Sequence, residues 1–304
     1  MLARLVPGPL VRWFAHPYVA GDSLDSALSV AASLWTERGL LTTLDVLGEG
    51  VTDAAHVERN AAIYAGMIDA LATDPRFADV PTRPSVSLKP SAFTTDAPAG
   101  ARGPITELAR HAQAKGVALT IDMEERTWTD FTLDLAVGLY EGGHDVGTVL
   151  QTRLNRTKSD LERIPPDMRL RLVIGIYPEP ADVAITHKRE MKDRMVDYAR
   201  RLLERKVFVE FGTHDVRAVE SFVREVAPMD PDRCEVQMLL GVPRAPLQDR
   251  VRKGELGPAL PVRLYVPYAN GWDDATAYLR RRMHESPSVV WLVLRNLFAV
   301  PGRR

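Results

Sequence analysis

A chain of 304 residues, 45% hydrophobic and 26% charged, has ordinary globular composition and enough apolar material for a sizeable core. With 39 basic against 40 acidic residues the formal net charge is -1, which gives no electrostatic case for nucleic-acid binding. The single cysteine, Cys234, excludes an intrachain disulfide framework and a multi-cysteine metal site, and it suits a reducing cytosol.

The first residues, MLARLVPGPLVRWFAHPYV, are apolar and carry Arg4 and Arg12. Pro7, Gly8 and Pro9 interrupt the run and no clear small-residue cleavage site follows, so it is not read as a signal peptide. Residues 1–40 are read instead as an N-terminal helical extension. Eight short apolar, β-branched runs then succeed one another. They are TTLDVLG from Thr42, SVSLK from Ser85, VALTIDM from Val117, TVLQ from Thr148, RLVIG from Arg171, VFVEFG from Val207, EVQML from Glu235 and VRLYVP from Val262. Their starts lie roughly 25–40 residues apart, the beat of successive βα units.

Helical patterns fill the gaps. DAAHVERNAAIYAGMIDALA starts at a plausible N-cap, Asp53, and ITELARHAQAKG stops at Gly116. HKREMKDRMVDYARRLLERK and DVRAVESFVREVA behave likewise. Eight strands alternating with helices predict a closed (β/α)8 barrel, distorted by the N-terminal extension and a C-terminal helix over 286–300, with 1–304 forming one domain. No G-x-G-x-x-G follows any strand, which weakens a doubly wound dinucleotide sheet. The closing stretch SVVWLVLRNLFAV contains Arg295 and is too short to span a bilayer. Packing on the barrel accounts for its apolar face, and contact with a membrane surface or a partner is the other reading.

In such barrels the active site occupies the mouth, at the carboxyl ends of the strands. The eight runs deliver Glu49, then Lys89, then Asp122 with Glu124 and Glu125, then Gln151. The fifth runs out through Gly175 to Tyr177, the sixth into Thr213 and His214, and the last two carry Gln237 and Tyr265. Each has a plain reading when taken alone: Lys89 snorkelling, Asp122 capping a helix, His214 satisfied in the core. Polar groups ending all eight strands point collectively to a site. A metal centre is not expected, because His214 is the only imidazole among the strand ends and no H-E-x-x-H occurs. Beyond the last strand, Tyr278, Arg281 and Arg282 in AYLRRRMHES have helical i, i+3, i+4 spacing, a guanidinium fork beside a ring that fits a small carboxylate. Lys89, Arg281 and Arg282 then surround an anion, with Asp122 countering a cation on the same ligand. A small amino or imino acid carries both charges. Two other readings stay open: a lysine-dependent aldolase or lyase using Lys89, and a barrel that binds an amino acid or flavin without turnover.

The motifs SVSLKPS, LTIDMEE, VLQTRL, RLVIGIY, FGTHD, EVQMLLGV and RLYVPY, followed by YLRRRMHE, stand in an order that resembles the proline dehydrogenase family, from about Leu44 to Glu285. The resemblance implies a distorted (β/α)8 barrel with noncovalent FAD that oxidises L-proline to Δ1-pyrroline-5-carboxylate and passes electrons to a membrane quinone. It implies that Arg281, Arg282 and Lys89 hold the substrate carboxylate, that Asp122 orients Lys89 and the amine, and that Tyr265, Tyr278 and Leu239 wall the ring. Glu49 matches a glutamate that pairs with Arg281 as a gate. Arg171, Gln151, Thr213 and His214 match positions around the flavin, with Gly175, Tyr177 and Gln237 beside them. A separate pyrroline-5-carboxylate dehydrogenase would complete the oxidation to glutamate, and the enzyme would sit in the cytoplasm or peripherally on the inner face of the membrane. The chain departs from the pattern at Ile174 and Ile176, where many members have lysine and alanine around the glycine, and at Thr152 and Arg153, where many have Ala-Tyr. The first change bears on one flavin contact and on flavin affinity and potential.

Overall fold

In the computed structural model, residues 17–48 and 51–271 are described. Glu49, Tyr278, Arg281, Arg282 and the helix expected over 286–300 therefore lie outside the described residues. Eight parallel strands close on themselves in sequence order: β1 Leu41–Leu47, β2 Ser85–Leu88, β3 Leu119–Ile121, β4 Val146–Gln151, β5 Arg169–Val173, β6 Phe208–Gly212, β7 Cys234–Leu239 and β8 Val262–Ala269. The β1–β8 seam pairs all seven residues of β1, from Leu41 with Arg263 to Leu47 with Ala269. The expected (β/α)8 barrel is what forms.

Two populations of residues alternate along each strand, as a period of two requires. Leu44, Val46, Val86, Leu88, Leu119, Ile121, Leu170, Leu172, Val209, Phe211, Val236 and Val266 are buried in the apolar core. The residues between them turn into the barrel. There the structure differs from the layers of bulky branched side chains that usually fill such a barrel. Thr43, Ser85, Thr120, Arg169, Glu210, Glu235 and Arg263 meet one another instead.

The surrounding helices are α1 Leu24–Arg38, α2 Ala54–Thr73, α3 Arg102–Lys115, α4 Thr129–Glu141, α5 Lys188–Glu204, α6 Val216–Ser221 and α7 Ala245–Arg252. Asp53 caps α2 by accepting the His56 amide at 2.8 Å, and α3 stops at Gly116 with φ 63°, both as the sequence predicts. The pattern after β6 divides: α6 is short and continues as a π-helical turn, Phe222–Val226. Before α1 the chain runs beside the exit of β8, where the Ala20 amide donates to Pro267 and the Ala269 amide to Gly21. This ties the segment that precedes the barrel to the rim of its mouth.

Candidate active site

One cavity of about 470 Å³ opens at the carboxyl ends of the strands. Every expected site residue that lies among the described ones lines it. These are Lys89, Asp122, Tyr265 and Leu239, expected around the substrate, and Gln151, Arg171, Gly175, Tyr177, Thr213, His214 and Gln237, expected around the cofactor.

Lys89 follows β2 and precedes Pro90, which keeps it extended at φ -103° and aims it along the strand direction. Its ammonium donates to Asp45 Oδ2 at 2.6 Å and approaches the Tyr265 hydroxyl at 3.4 Å. Burial by itself would depress this ammonium, but the charges of Asp45 and Asp122 outweigh burial and hold its pKa well above the ordinary lysine range. A lysine kept charged in this way is a poor carbonyl nucleophile, which counts against the aldolase reading. Burial raises the Asp45 carboxyl, and the nearby charge of Asp122 adds to this while Lys89 opposes it. Tyr64, on α2, donates to Asp45 Oδ1 at 3.2 Å.

Asp122 acts on Lys89 through its charge, while its hydrogen bonds go elsewhere. It accepts from Arg171 Nη1 at 2.7 Å, Ser87 Oγ at 2.8 Å and the Tyr265 hydroxyl at 2.7 Å. Both neighbours of β2 carry a carboxylate, and Lys89 turns to Asp45 on the β1 side while Asp122 on the β3 side is taken by its three donors. Asp45 is the site residue that sequence reasoning missed. Its signal was a lone carboxylate inside TTLDVLG, costly to bury unless paired. The Tyr265 ring lies between two cations, 5.3 Å from the Arg171 guanidinium carbon and 5.9 Å from Lys89 Nζ. Burial and the adjacent Asp122 raise its hydroxyl far above the ordinary tyrosine range, so it remains a donor.

The residues expected around the cofactor are marked by what is left unpaired. Gln151 donates from Nε2 to the Glu124 carbonyl at 2.7 Å, which leaves its buried Oε1 without a partner. Arg171 leaves Nη2 unpaired, and His214 leaves Nδ1. The tautomer of His214 follows from its surroundings. The Leu239 amide donates to Nε2 at 3.1 Å, so Nε2 is the acceptor and Nδ1 carries the proton. Burial, reinforced by Arg244, lowers the pKa of this imidazole to about 4 and keeps it neutral. Other buried polar atoms without partners, such as the Thr129 and Thr132 hydroxyls on α4, are scattered, whereas these three belong to residues that line one cavity.

Gly175, at φ 99°, exits β5 beside them, and a Cβ there would stand 2.4 Å from Gln151 Oε1. Only glycine leaves that oxygen open. Around it the walls are apolar, with Val149, Val173, Ile174, Ile176 and Met238. Ile176 is 59% exposed and Leu239 40%, unusual for large apolar side chains on a cavity rim. Arg153, at the other departure from the family pattern, donates from Nη1 to the Tyr177 carbonyl at 2.5 Å and fastens the β5 exit. Glu124, one of the strand-end carboxylates, also lines the cavity; its carboxyl is raised by burial and accepts both the amide and the hydroxyl of Ser91. Among the described residues no cluster of His, Cys, Asp or Glu is fit to hold a metal.

The family model for proline dehydrogenase matches residues 27–172 and 180–291. The chain belongs to the proline dehydrogenase family. The proline dehydrogenase of Deinococcus radiodurans is 30% identical over 295 residues, covering 93% of this chain and 89% of that one. Proline dehydrogenase 2 of Bacillus subtilis strain 168 is 28% identical over 291 residues, covering 94% and 91%. The barrel is also similar to a crystal structure of proline utilization A from Bdellovibrio bacteriovorus inactivated by N-propargylglycine, with TM-score 0.81 and 23% identity. That match covers 97% of this chain but 35% of the longer one, and it speaks to the fold. Family membership carries the activity of a proline dehydrogenase, an oxidoreductase of proline catabolism, and implies a flavin cofactor. The residues lining the cavity fit such a cofactor. A flavin ring edge presents carbonyl acceptors and an imide N–H donor, and the cavity offers two unpaired donors, Arg171 Nη2 and His214 Nδ1, with one unpaired acceptor, Gln151 Oε1. No helix among the described residues is long and apolar enough to cross a membrane.

Proposed function

We propose that the chain binds FAD noncovalently at the barrel mouth and oxidises L-proline to Δ1-pyrroline-5-carboxylate. The observation that carries this reading is that one cavity joins a charged set suited to an amino-acid zwitterion with three unpaired polar atoms suited to a flavin edge. Gln151, Arg171, Gly175, Tyr177, Thr213, His214 and Gln237 would hold the cofactor. When bound, the flavin supplies the hydride acceptor.

Lys89, with Arg281 and Arg282, binds the substrate carboxylate, and Tyr265, Tyr278 and Leu239 wall the ring. Their work is orientation, since a fixed carboxylate presents the ring carbon at a fixed distance and angle. Asp45 keeps Lys89 charged and in place. Asp122, already accepting three hydrogen bonds, fixes Arg171 and Tyr265. The amine must lose its proton before it can release hydride. The cations gathered there, Lys89, Arg171, Arg281 and Arg282, disfavour a further positive charge on the ligand amine. The proton therefore goes to solvent. Glu49 pairs with Arg281 over the bound substrate and excludes water.

Electrons pass from the reduced cofactor to a quinone. The protein works in the cytoplasm, peripherally at the inner face of the membrane, through the apolar face of its C-terminal segment. Its product goes to a separate pyrroline-5-carboxylate dehydrogenase. The test is to reconstitute the protein with FAD, supply L-proline and a soluble quinone analogue, and trap the product with o-aminobenzaldehyde. A coloured adduct that requires FAD, proline and quinone together is expected. Its absence with a fully flavin-loaded protein would remove the reading.

A further inference from the structure

Below the cavity, Arg171 continues a chain of contacts that the proposed chemistry does not use. Its Nε donates to Gln237 Oε1 at 2.5 Å, and Gln237 Nε2 donates to Glu235 Oε1 at 2.5 Å. Glu235 is gripped by Arg263 through Nε at 2.7 Å and Nη2 at 3.1 Å, and Arg263 Nη1 is tied to the Thr42 carbonyl at 3.0 Å. Glu235, Gln237, Arg171 and Arg263 are all buried.

Only one orientation of the Gln237 amide satisfies this chain. A guanidinium only donates and a carboxylate only accepts, so the oxygen must face Arg171 and the nitrogen Glu235. Glu235 thus acts two residues away from the mouth. By fixing the amide it offers Arg171 Nε an acceptor, while Asp122 holds Nη1 from the other side. With two of its three nitrogens taken, the guanidinium cannot rotate, and Nη2 is the one left unpaired beside the cavity.

We infer that Glu235 is a positioning residue: through the amide of Gln237 it locks the rotation of Arg171 and holds that cation ready for the cofactor. Arg263 in turn holds Glu235 in place through two hydrogen bonds. This rests on the flavin reading above for its consequence, but not for its geometry, and the two can be tested apart.

The geometric part is read without cofactor. In protein labelled with 15N-arginine, the Arg171 Nε–H resonance, assigned by its loss in Arg171→Lys, should be protected from solvent exchange. In Glu235→Gln the one remaining oxygen is neutral and shared by Gln237 and Arg263, so the bond that orients Gln237 loses its charge assistance and exchange should accelerate by about tenfold or more, the factor that one charge-assisted hydrogen bond carries. Unchanged exchange would overturn the inference whether or not the protein binds a flavin.

The consequence is read in the flavin-loaded protein as the midpoint potential of the bound flavin, after wild type has been shown to bleach with L-proline. Removing a buried negative charge should by itself raise the potential, because negative charge on the reduced ring becomes easier to hold. Loosening Arg171 should lower it. A fall in Glu235→Gln is therefore expected, and a rise or no change contradicts the positioning role. Glu235→Asp keeps the charge but withdraws the carboxylate, and it should give a smaller fall in potential and a smaller rise in exchange. It carries both tests if Glu235→Gln does not fold. Failure of wild type to take up FAD or bleach would reject the functional reading and leave the exchange result to judge the lock.

Discussion

The floor and the mouth of this barrel are both polar, but they differ in what is left over. At the floor, Arg263 meets Glu235 and Arg169 meets Glu210 at 3.2 Å, and none of these side chains has a buried polar atom without a partner. At the mouth, Lys89 meets Asp45 and Arg171 meets Asp122, yet Arg171 Nη2, Gln151 Oε1 and His214 Nδ1 remain unpaired. Both regions pair cations with carboxylates, so ion pairing does not separate them. Unmet hydrogen bonding does. A buried polar atom without a partner destabilises the protein that carries it, and it persists where a ligand completes it. Floor residues should therefore govern stability and mouth residues binding and rate.

Breaking a floor pair is the largest test of this contrast. Glu235→Leu leaves Arg263 buried and unpaired and should lower unfolding free energy by about 3–5 kcal/mol in urea titration. Removing a carboxylate ligand at the mouth should act differently. Arg281→Ala or Arg282→Ala should raise the proline KM steeply, by the equivalent of about 2–5 kcal/mol, with little change in the melting curve. Arg280→Ala, off that helix face, should change neither, and equal small effects from all three would return the run to a solvated role.

His214 joins the two regions, since its tautomer serves binding and its burial affects stability. Its pKa is about 4 when folded against an ordinary 6.5, so the unfolded chain takes up the proton first. Stability is full above pH 6.5 and falls as pH drops toward 4, by about 2–3 kcal/mol from this group. The loss should be absent in His214→Gln when the two proteins are unfolded in urea at pH 7 and pH 4.5. The smallest effect is at Gln151. Gln151→Leu removes an unpaired oxygen but also the Nε2 donor of the Glu124 carbonyl, so the cofactor-free protein should lose about 1–2 kcal/mol, while FAD binding weakens by about tenfold in fluorescence titration. A loss well beyond that would mean that the oxygen is already satisfied in the free protein.

The eight strands were legible because each is short, apolar and β-branched, and because helices capped by residues such as Asp53 and Gly116 separate them. The mouth was legible for a related reason: polar residues at strand ends have few other places to go. The floor was not. Arg169, Glu210 and Arg263 sit in strands whose alternate residues are apolar, and their partners lie 41 and 28 residues away, set by strand register rather than local pattern. The same limit assigned Lys89 to Asp122, although the ammonium donates to Asp45 on the other neighbouring strand. Spacing identified which residues share the mouth. It did not identify which of them pair.

The central claim, that the unpaired atoms at the mouth await a flavin that proline reduces, is tested most directly by one visible absorption spectrum. Purified protein loaded with FAD should show the flavin bands, and these should bleach when L-proline is added without oxygen. A protein that takes up no flavin, or a bound flavin that stays oxidised with proline present, would contradict the account.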